Sequence, residues 1–136
     1  MPSDQPEPVF LTVDEVIRLH DFSIERHGGA HGIRDLGLIT SATLAAAQTF
    51  GGEFLCKTIE DMAATYWCNL AQNHGFLDGN KRTGVIAAIA FLERNGLTLN
   101  VGDEELYEVA MLVAERGISK DAVAQFIARH LITLDP

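Results

Sequence analysis

The stretch HGFLDGNKRTG, His74 to Gly84, runs without a break into VIAAIAFL at positions 85–92. The second part is apolar on every face, with neither the alternation of a strand nor the polar stripe of a surface helix, and it predicts a buried helix. A start at Gly79 or Asn80 and a glycine stop at Gly96 bound that helix at about 79–95. Such a helix needs other helices around it. The expected fold is therefore all-α: a helical bundle of about six helices around an apolar central helix. Only the N-terminal end of the central helix would stay accessible, and there the orphan backbone N–H groups and the positive end of the helix dipole face outward. That is an anion site.

The flanking sequence supplies the surrounding helices. Thr12 to Glu15 (TVDE) has capping-box spacing, and Val13, Val16, Ile17, Leu19 and Ile24 form an apolar stripe to about His27, where Gly28-Gly29 stops it. The segment GGAHGIRDLG reads as loop, Asp35 as the cap of a second helix to about Gln48, and TFGGE as a break. A third helix begins at Thr58 and ends near Asn73, carrying Met62, Ala63, Tyr66, Trp67 and Leu70. Leu97 to Val101 alternates weakly, and pairing with Val9 to Leu11 would make a minimal β-ribbon. Asp103 is expected to cap a helix to about Arg116, ended by Gly117, and Ser119 to start a last one through about Leu131.

Length and charge bound the function. The 136 residues suit a single domain over 1–136, with a proline-rich, frayed stretch at 1–8. The longest apolar run is well under the roughly 18 residues that cross a bilayer, and the N-terminus carries neither a basic nor an apolar export segment; the expectation is a cytoplasmic protein with no membrane partner. Cys56 and Cys68 stand twelve apart with no second pair, which suits packed, reduced thiols. A formal net charge of −9 disfavours direct contact with nucleic acid. Against that background Lys81-Arg82 stands out. Two cations at a helix start oppose the dipole unless an anion lies between, so they suit a nucleotide phosphate.

Each residue of the stretch has a chemical reading. His74 lies between a helix end and a glycine loop, seven residues before the cations, and is the candidate general base. Asp78 offers one hard carboxylate, the usual protein share of a Mg²⁺ site completed by phosphate oxygens. Gly79 and Asn80 tolerate left-handed backbone angles that let N–H groups converge on an anion. Lys81 and Arg82 would neutralise charge on the transferred group. Phe76 reads as a buried anchor, and Thr83 and Gly84 as first-turn packing residues. His20, His27, His31 and His130 read as structural. Arg34 and Asp35, in the glycine-rich loop, are candidates for positioning substrate or nucleotide, or for a salt-bridged loop anchor.

HGFLDGNKRTG resembles the Fic/Doc motif, H-x-F-x-[D/N]-[G/A]-N-[G/K]-R, at every defining position. Three departures from the AMP-transferring members stand out: Lys81 replaces a Gly, Val85 replaces a second Arg, and Gly75 replaces the usual Pro after the His. The first two are the pattern of the Doc (death on curing) branch, toxins of Phd/Doc-type toxin–antitoxin modules, and GGAHGIRDLGLITSA, TFGGE and FLERNGLTL extend the resemblance from Val9 to about His130. The resemblance implies a Fic fold and an ATP-dependent Ser/Thr kinase, with Mg²⁺ and ATP, that transfers the γ-phosphate to elongation factor Tu and blocks translation. It also implies a Phd-like antitoxin whose C-terminal segment docks in trans in an apolar groove. The inhibitory pattern [S/T]-x-x-x-E-[G/N] of other Fic proteins has no match; after Thr49 and Glu53 comes Phe54. A reason for the branch point is that Lys81 fills the pocket in which AMP-transferring members hold the outer phosphates, and Val85 removes their anchor. The nucleotide would then bind reversed, with the γ-phosphate at His74. The alternatives are an AMP or other nucleotidyl transferase and a non-catalytic helical binding module.

Overall fold

The computed structural model describes residues 7–134, so most of the stretch expected to fray lies outside the described residues. Six α-helices are present among them, in the order α1 (Val13–His27), α2 (Leu36–Leu44), α3 (Ile59–Gln72), α4 (Asn80–Arg94), α5 (Asp103–Ala114) and α6 (Lys120–His130). Two antiparallel ribbons complete the fold: β1 (Thr49–Phe50) with β2 (Glu53–Phe54), and β3 (Leu97–Leu99) with β4 (Leu131–Thr133). No helix among the described residues is long and apolar enough to cross a membrane.

α4 is the central helix. No residue from Thr83 to Leu92 is exposed, and Ala87, Ala88, Phe91 and Leu92 are fully buried among α1, α3 and α5. Its tightest neighbour is α3. A Cβ on Gly84 would lie 2.6 Å from the carbonyl oxygen of Trp67, so the two backbones approach as closely as a glycine permits. Phe91 meets Tyr66 of α3 at 5.0 Å between ring centroids and Phe10 at 5.8 Å, closing the core at the far end from the motif.

α1 starts on the expected capping box: Thr12 Oγ1 accepts from Glu15 N–H (3.1 Å) and Glu15 Oε1 accepts from Thr12 N–H (2.9 Å). Glu15 also takes both arms of the Arg94 guanidinium, which ties the start of α1 to the end of α4. Those hydrogen bonds, with the Thr12 N–H, hold the Glu15 carboxyl down at about 2.

Five elements differ from expectation: α2 tightens after Leu44 into a 3₁₀ turn (Ala45–Ala47), short of Gln48, and four others differ for local reasons. The minimal β-ribbon pairs Leu97–Leu99 with Leu131–Thr133, not with Val9–Leu11. Val9 is instead held by one side chain, donating its N–H to Asn95 Oδ1 (2.8 Å) and accepting from Asn95 Nδ2 (3.0 Å), and the last helix stops at His130 to supply β4. TFGGE is a hairpin, because Gly51 (φ 61°) and Gly52 (φ 83°) supply the two left-handed residues of a tight turn. Gly102, not Asp103, is the N-cap of α5; Asp103 sits in the first turn, where its charge complements the dipole. α5 ends at Ala114 with Glu115 as its C-cap, and the left-handed residue that follows is Arg116 (φ 58°), ahead of Gly117, whose N–H reaches back to Leu112 O at 2.8 Å. The Arg116 guanidinium offsets the strain by donating to Gln72 Oε1 (3.1 Å) and Gln72 O (3.2 Å) at the end of α3.

Candidate active site

The turn between α3 and α4 is held from three sides, and each hold begins with a sequence feature. From the α1–α2 loop, the N–H groups of Arg34 and Asp35 both donate to Gly75 O (2.8 and 3.0 Å), Leu77 N–H donates to Gly32 O (3.0 Å), and Ile33 bridges Phe76. The Arg34 side chain adds Nε to His74 O at 2.6 Å and Nη2 to Asn73 O at 3.4 Å. His74 itself carries φ 53°, a left-handed angle uncommon for a residue with a side chain. Arg34 grips the carbonyl of that strained residue, so it is a loop anchor that works through backbone carbonyls rather than through a salt bridge. Asp35 caps α2, accepting from Leu38 N–H at 3.2 Å. Neither residue lines the cavity described below.

From beneath, His20 supports the turn. It is fully buried, its ring stacks on Phe76 at 3.7 Å with 6° between planes, and its Nε2 donates to Asp78 O at 2.8 Å. Phe76, 2% exposed, is the buried anchor expected of it. His20 is structural, as expected, but what it supports is the motif itself, a role its sequence position alone does not state. The available signal was its place four residues from both Val16 and Ile24 on the buried stripe of α1, since a polar group on that face must find a partner.

The third hold is internal. Asn80 Oδ1 accepts from Phe76 N–H (3.0 Å) and Asn80 Nδ2 donates to Phe76 O (2.9 Å), so its side chain closes the turn. The expectation of a left-handed pair at 79–80 holds for Gly79 (φ 78°), the N-cap of α4, but Asn80 is already the first helical residue. At the helix start Asn80 can therefore offer an anion its backbone N–H, not its side-chain amide, which Phe76 occupies.

The remaining motif groups face outward. Asp78 accepts from Ala30 N–H (3.0 Å, Oδ2) and Gly79 N–H (2.8 Å, Oδ1), and these hydrogen bonds keep its exposed carboxyl below the usual range, as an anion. Lys81 Nζ lies 3.1 Å from Met111 Sδ, and Arg82 Nη2 donates to Gly28 O at 2.8 Å. Among the described residues neither cation forms a salt bridge with a carboxylate. His74, Leu77, Asp78, Gly79, Asn80, Lys81 and Arg82 line one cavity of about 620 Å³. A carboxylate, two cations, an imidazole and a helix N-terminus thus share one space. Such a set has the chemistry that a polyphosphate requires.

A divalent cation fits this set only in company. No cluster of three or more His, Cys, Asp or Glu side chains suited to a metal exists among the described residues, but each Asp78 oxygen keeps a second lone pair beyond its N–H partner. Asp78 can therefore hold Mg²⁺ that a phosphate brings with it, not a metal bound by protein alone.

Comparison with known proteins matches residues 10–92 to the Fic/DOC family model. The chain belongs to the Fic/DOC family. It is 33% identical over 119 residues to Protein kinase doc of Escherichia phage P1, covering 88% of this chain and 93% of that protein. It is 34% identical over 103 residues to Toxin Doc of Mycolicibacterium smegmatis, covering 74% and 79%. These relatives place it with the Doc branch of the Fic/DOC family. One departure from the AMP-transferring pattern has a packing reason here: a Cβ at Gly75 would lie 2.5 Å from Ile39 Cγ1.

Removing the Arg34 grip is expected to misplace His74 without unfolding the exposed loop. Arg34→Ala should lower kcat by about 10- to 100-fold with little change in the KM for nucleotide, because a shift of about 1 Å at a reacting group has effects of that size. Arg34→Lys, which cannot span two carbonyls with a planar fork, should not restore the rate. Steady-state kinetics separating kcat from KM checks both.

Proposed function

We propose that this protein is the toxin of a toxin–antitoxin module and acts as an ATP-dependent kinase. It would transfer the γ-phosphate to a Ser/Thr hydroxyl of a translation factor, elongation factor Tu by family resemblance. The observation that carries the reading is the single cavity holding His74, the α4 N-terminus, Lys81 and Arg82. Two Doc relatives, one called a protein kinase and one a toxin, support it.

In this mechanism the nucleotide phosphates lie on the N–H groups of the first turn of α4, between the two cations. His74 accepts the hydroxyl proton as the substrate oxygen attacks the γ-phosphorus, the bond from phosphorus to the bridging oxygen breaks, and ADP leaves. Lys81 and Arg82 neutralise the charge that spreads over the phosphoryl oxygens. Mg²⁺, held by Asp78 and entering with ATP, would supply further neutralisation. Lys81 in place of a small residue narrows the space beside the cradle, and Val85, half-buried against the core, offers no anchor for outer phosphates. Both favour γ-phosphate transfer over AMP transfer. Regulation would come in trans, from a Phd-like antitoxin whose C-terminal segment docks on the domain, and the site of action would be the cytoplasm.

The test uses a translation extract incubated with the protein and ATP labelled at either the α or the γ position. The expected result is γ-label, and a mass increase of one phosphate, on a single factor. Transfer of α-label would replace the kinase reading with nucleotidyl transfer, and absence of either label would leave the binding-module alternative.

A further inference from the structure

Three successive backbone carbonyls at the end of α3 are each met by a guanidinium. The Asn73 N–H closes the helix on Asn69 O (3.0 Å), and the carbonyls beyond look outside α3 for donors. Gln72 O accepts from Arg116 Nη2 at 3.2 Å, Asn73 O from Arg34 Nη2 at 3.4 Å, and His74 O from Arg34 Nε at 2.6 Å. The last turn of α3 carries no basic residue of its own, so the cations that complement its negative end come from elsewhere. Arg34 comes from the α1–α2 loop and Arg116 from the turn between α5 and α6.

The hold by Arg116 is braced twice. Its Nη1 donates to Gln72 Oε1 at 3.1 Å, and Gln72 Nε2 donates to Val113 O of α5 at 2.9 Å. The end of α5 thus fixes both the main chain and the side chain of the residue two before His74. The tight packing of α4 on α3 at Gly84 reaches Trp67 and Ala71. The next three residues lead to the imidazole, and theirs are the carbonyls held. Arg116 keeps its place at φ 58°, beside a glycine that would take such an angle freely, and strain of this kind persists where a side chain is used. Arg116 is exposed and lines no part of the cavity that holds His74, so any effect on the chemistry runs through Gln72.

We infer that Arg116 is a positioning residue for His74, fixing the last turn of α3 from the α5 side as Arg34 fixes the turn beyond it. This rests on the reading of His74 as general base and deepens it. The imidazole is carried by the end of α3 and the phosphate cradle by α4, so the direction of Gln72–His74 sets the distance between them.

Two variants and two readouts test the hold. Arg116→Gly removes the guanidinium and takes φ 58° without strain, whereas Arg116→Lys keeps the charge but not the two-donor fork. The readouts are the imidazole resonances of His74 in ¹⁵N-labelled protein, and kcat and KM for γ-phosphate transfer. Both variants should shift the His74 resonances and leave those of His20 in place. Both should lower kcat by roughly 3- to 10-fold with the KM for nucleotide unchanged, a fraction of the loss that a shift of about 1 Å produces. In the His74→Ala background, Arg116→Gly should change the residual rate by less than about twofold, because the group it aims is gone. Unmoved His74 resonances in both variants would overturn the hold, whether or not the native protein transfers phosphate. The native rate in Arg116→Lys would overturn the two-donor grip, and an equal loss in the His74→Ala background would leave Arg116 a purely structural residue. Full activity of His74→Ala would overturn the base reading itself, and with it any catalytic use of the hold.

Discussion

His74→Ala is expected to lower the rate of γ-phosphate transfer by about 100- to 10,000-fold, the range that one positioned general base contributes, and to abolish growth inhibition on expression. The fold should be unaffected. His74 is exposed, and the turn that carries it is fixed through backbone carbonyls and through Phe76 and Asn80, none of which involves the imidazole. Nucleotide affinity should change little, because the anion contacts proposed above come from the start of α4. Initial rates with γ-labelled ATP, beside thermal melts and nucleotide titrations of the same variant, separate these effects. Unchanged growth inhibition would remove His74 from the chemistry and with it the kinase mechanism.

The central helix was legible in the sequence because its signal is local: a run of apolar residues with no polar face has only one place to go. The end of that helix suited to an anion is legible from the same run, since Gly79 caps it and Lys81 and Arg82 lie within its first turn. The support beneath the motif was not legible, because its partners are remote in sequence. His20 reaches Asp78 across 58 positions and Arg34 reaches His74 across 40, and neither spacing leaves a pattern that periodicity can read. The partner of the ribbon strand is hidden for a related reason. Leu97–Leu99 has the alternation of a strand, but its partner is decided by where the end of α6 emerges, and Leu131–Thr133 emerges beside it. Asn80 shows a further limit. Its residue type fits both a left-handed turn and a side-chain brace, and only the geometry of Phe76 selects the brace.

Gly84→Ala sets two effects of opposite sign against each other at the joint that aims the site. Gly84 lies inside α4 at ordinary helical angles, and there a Gly-to-Ala change normally stabilises a helix by about 1 kcal/mol. The new methyl would sit 2.6 Å from Trp67 O and 3.1 Å from Ala71 Cβ, and the nearer neighbour is backbone, which cannot rotate away. Overpacking of that kind opposes folding by about 1–3 kcal/mol, and more where a main chain must shift, so the contact outweighs the propensity. The expected result is a net loss of about 1–2 kcal/mol, seen as a lower denaturation midpoint with unchanged slope. Gly84→Val should be worse, since its extra methyl groups meet the same wall and a β-branched residue has less helix preference than Ala. Moving α4 off α3 also moves its first turn away from His74, because the imidazole is carried by the end of α3 and the phosphate cradle by the start of α4. Transfer activity of the folded Gly84→Ala protein should therefore fall as well, in contrast to His74→Ala, which loses activity with stability intact. A Gly84→Ala protein more stable than the native one would mean that the two helices are not pressed together at this point, and the rigid spacing between base and phosphate would need another source.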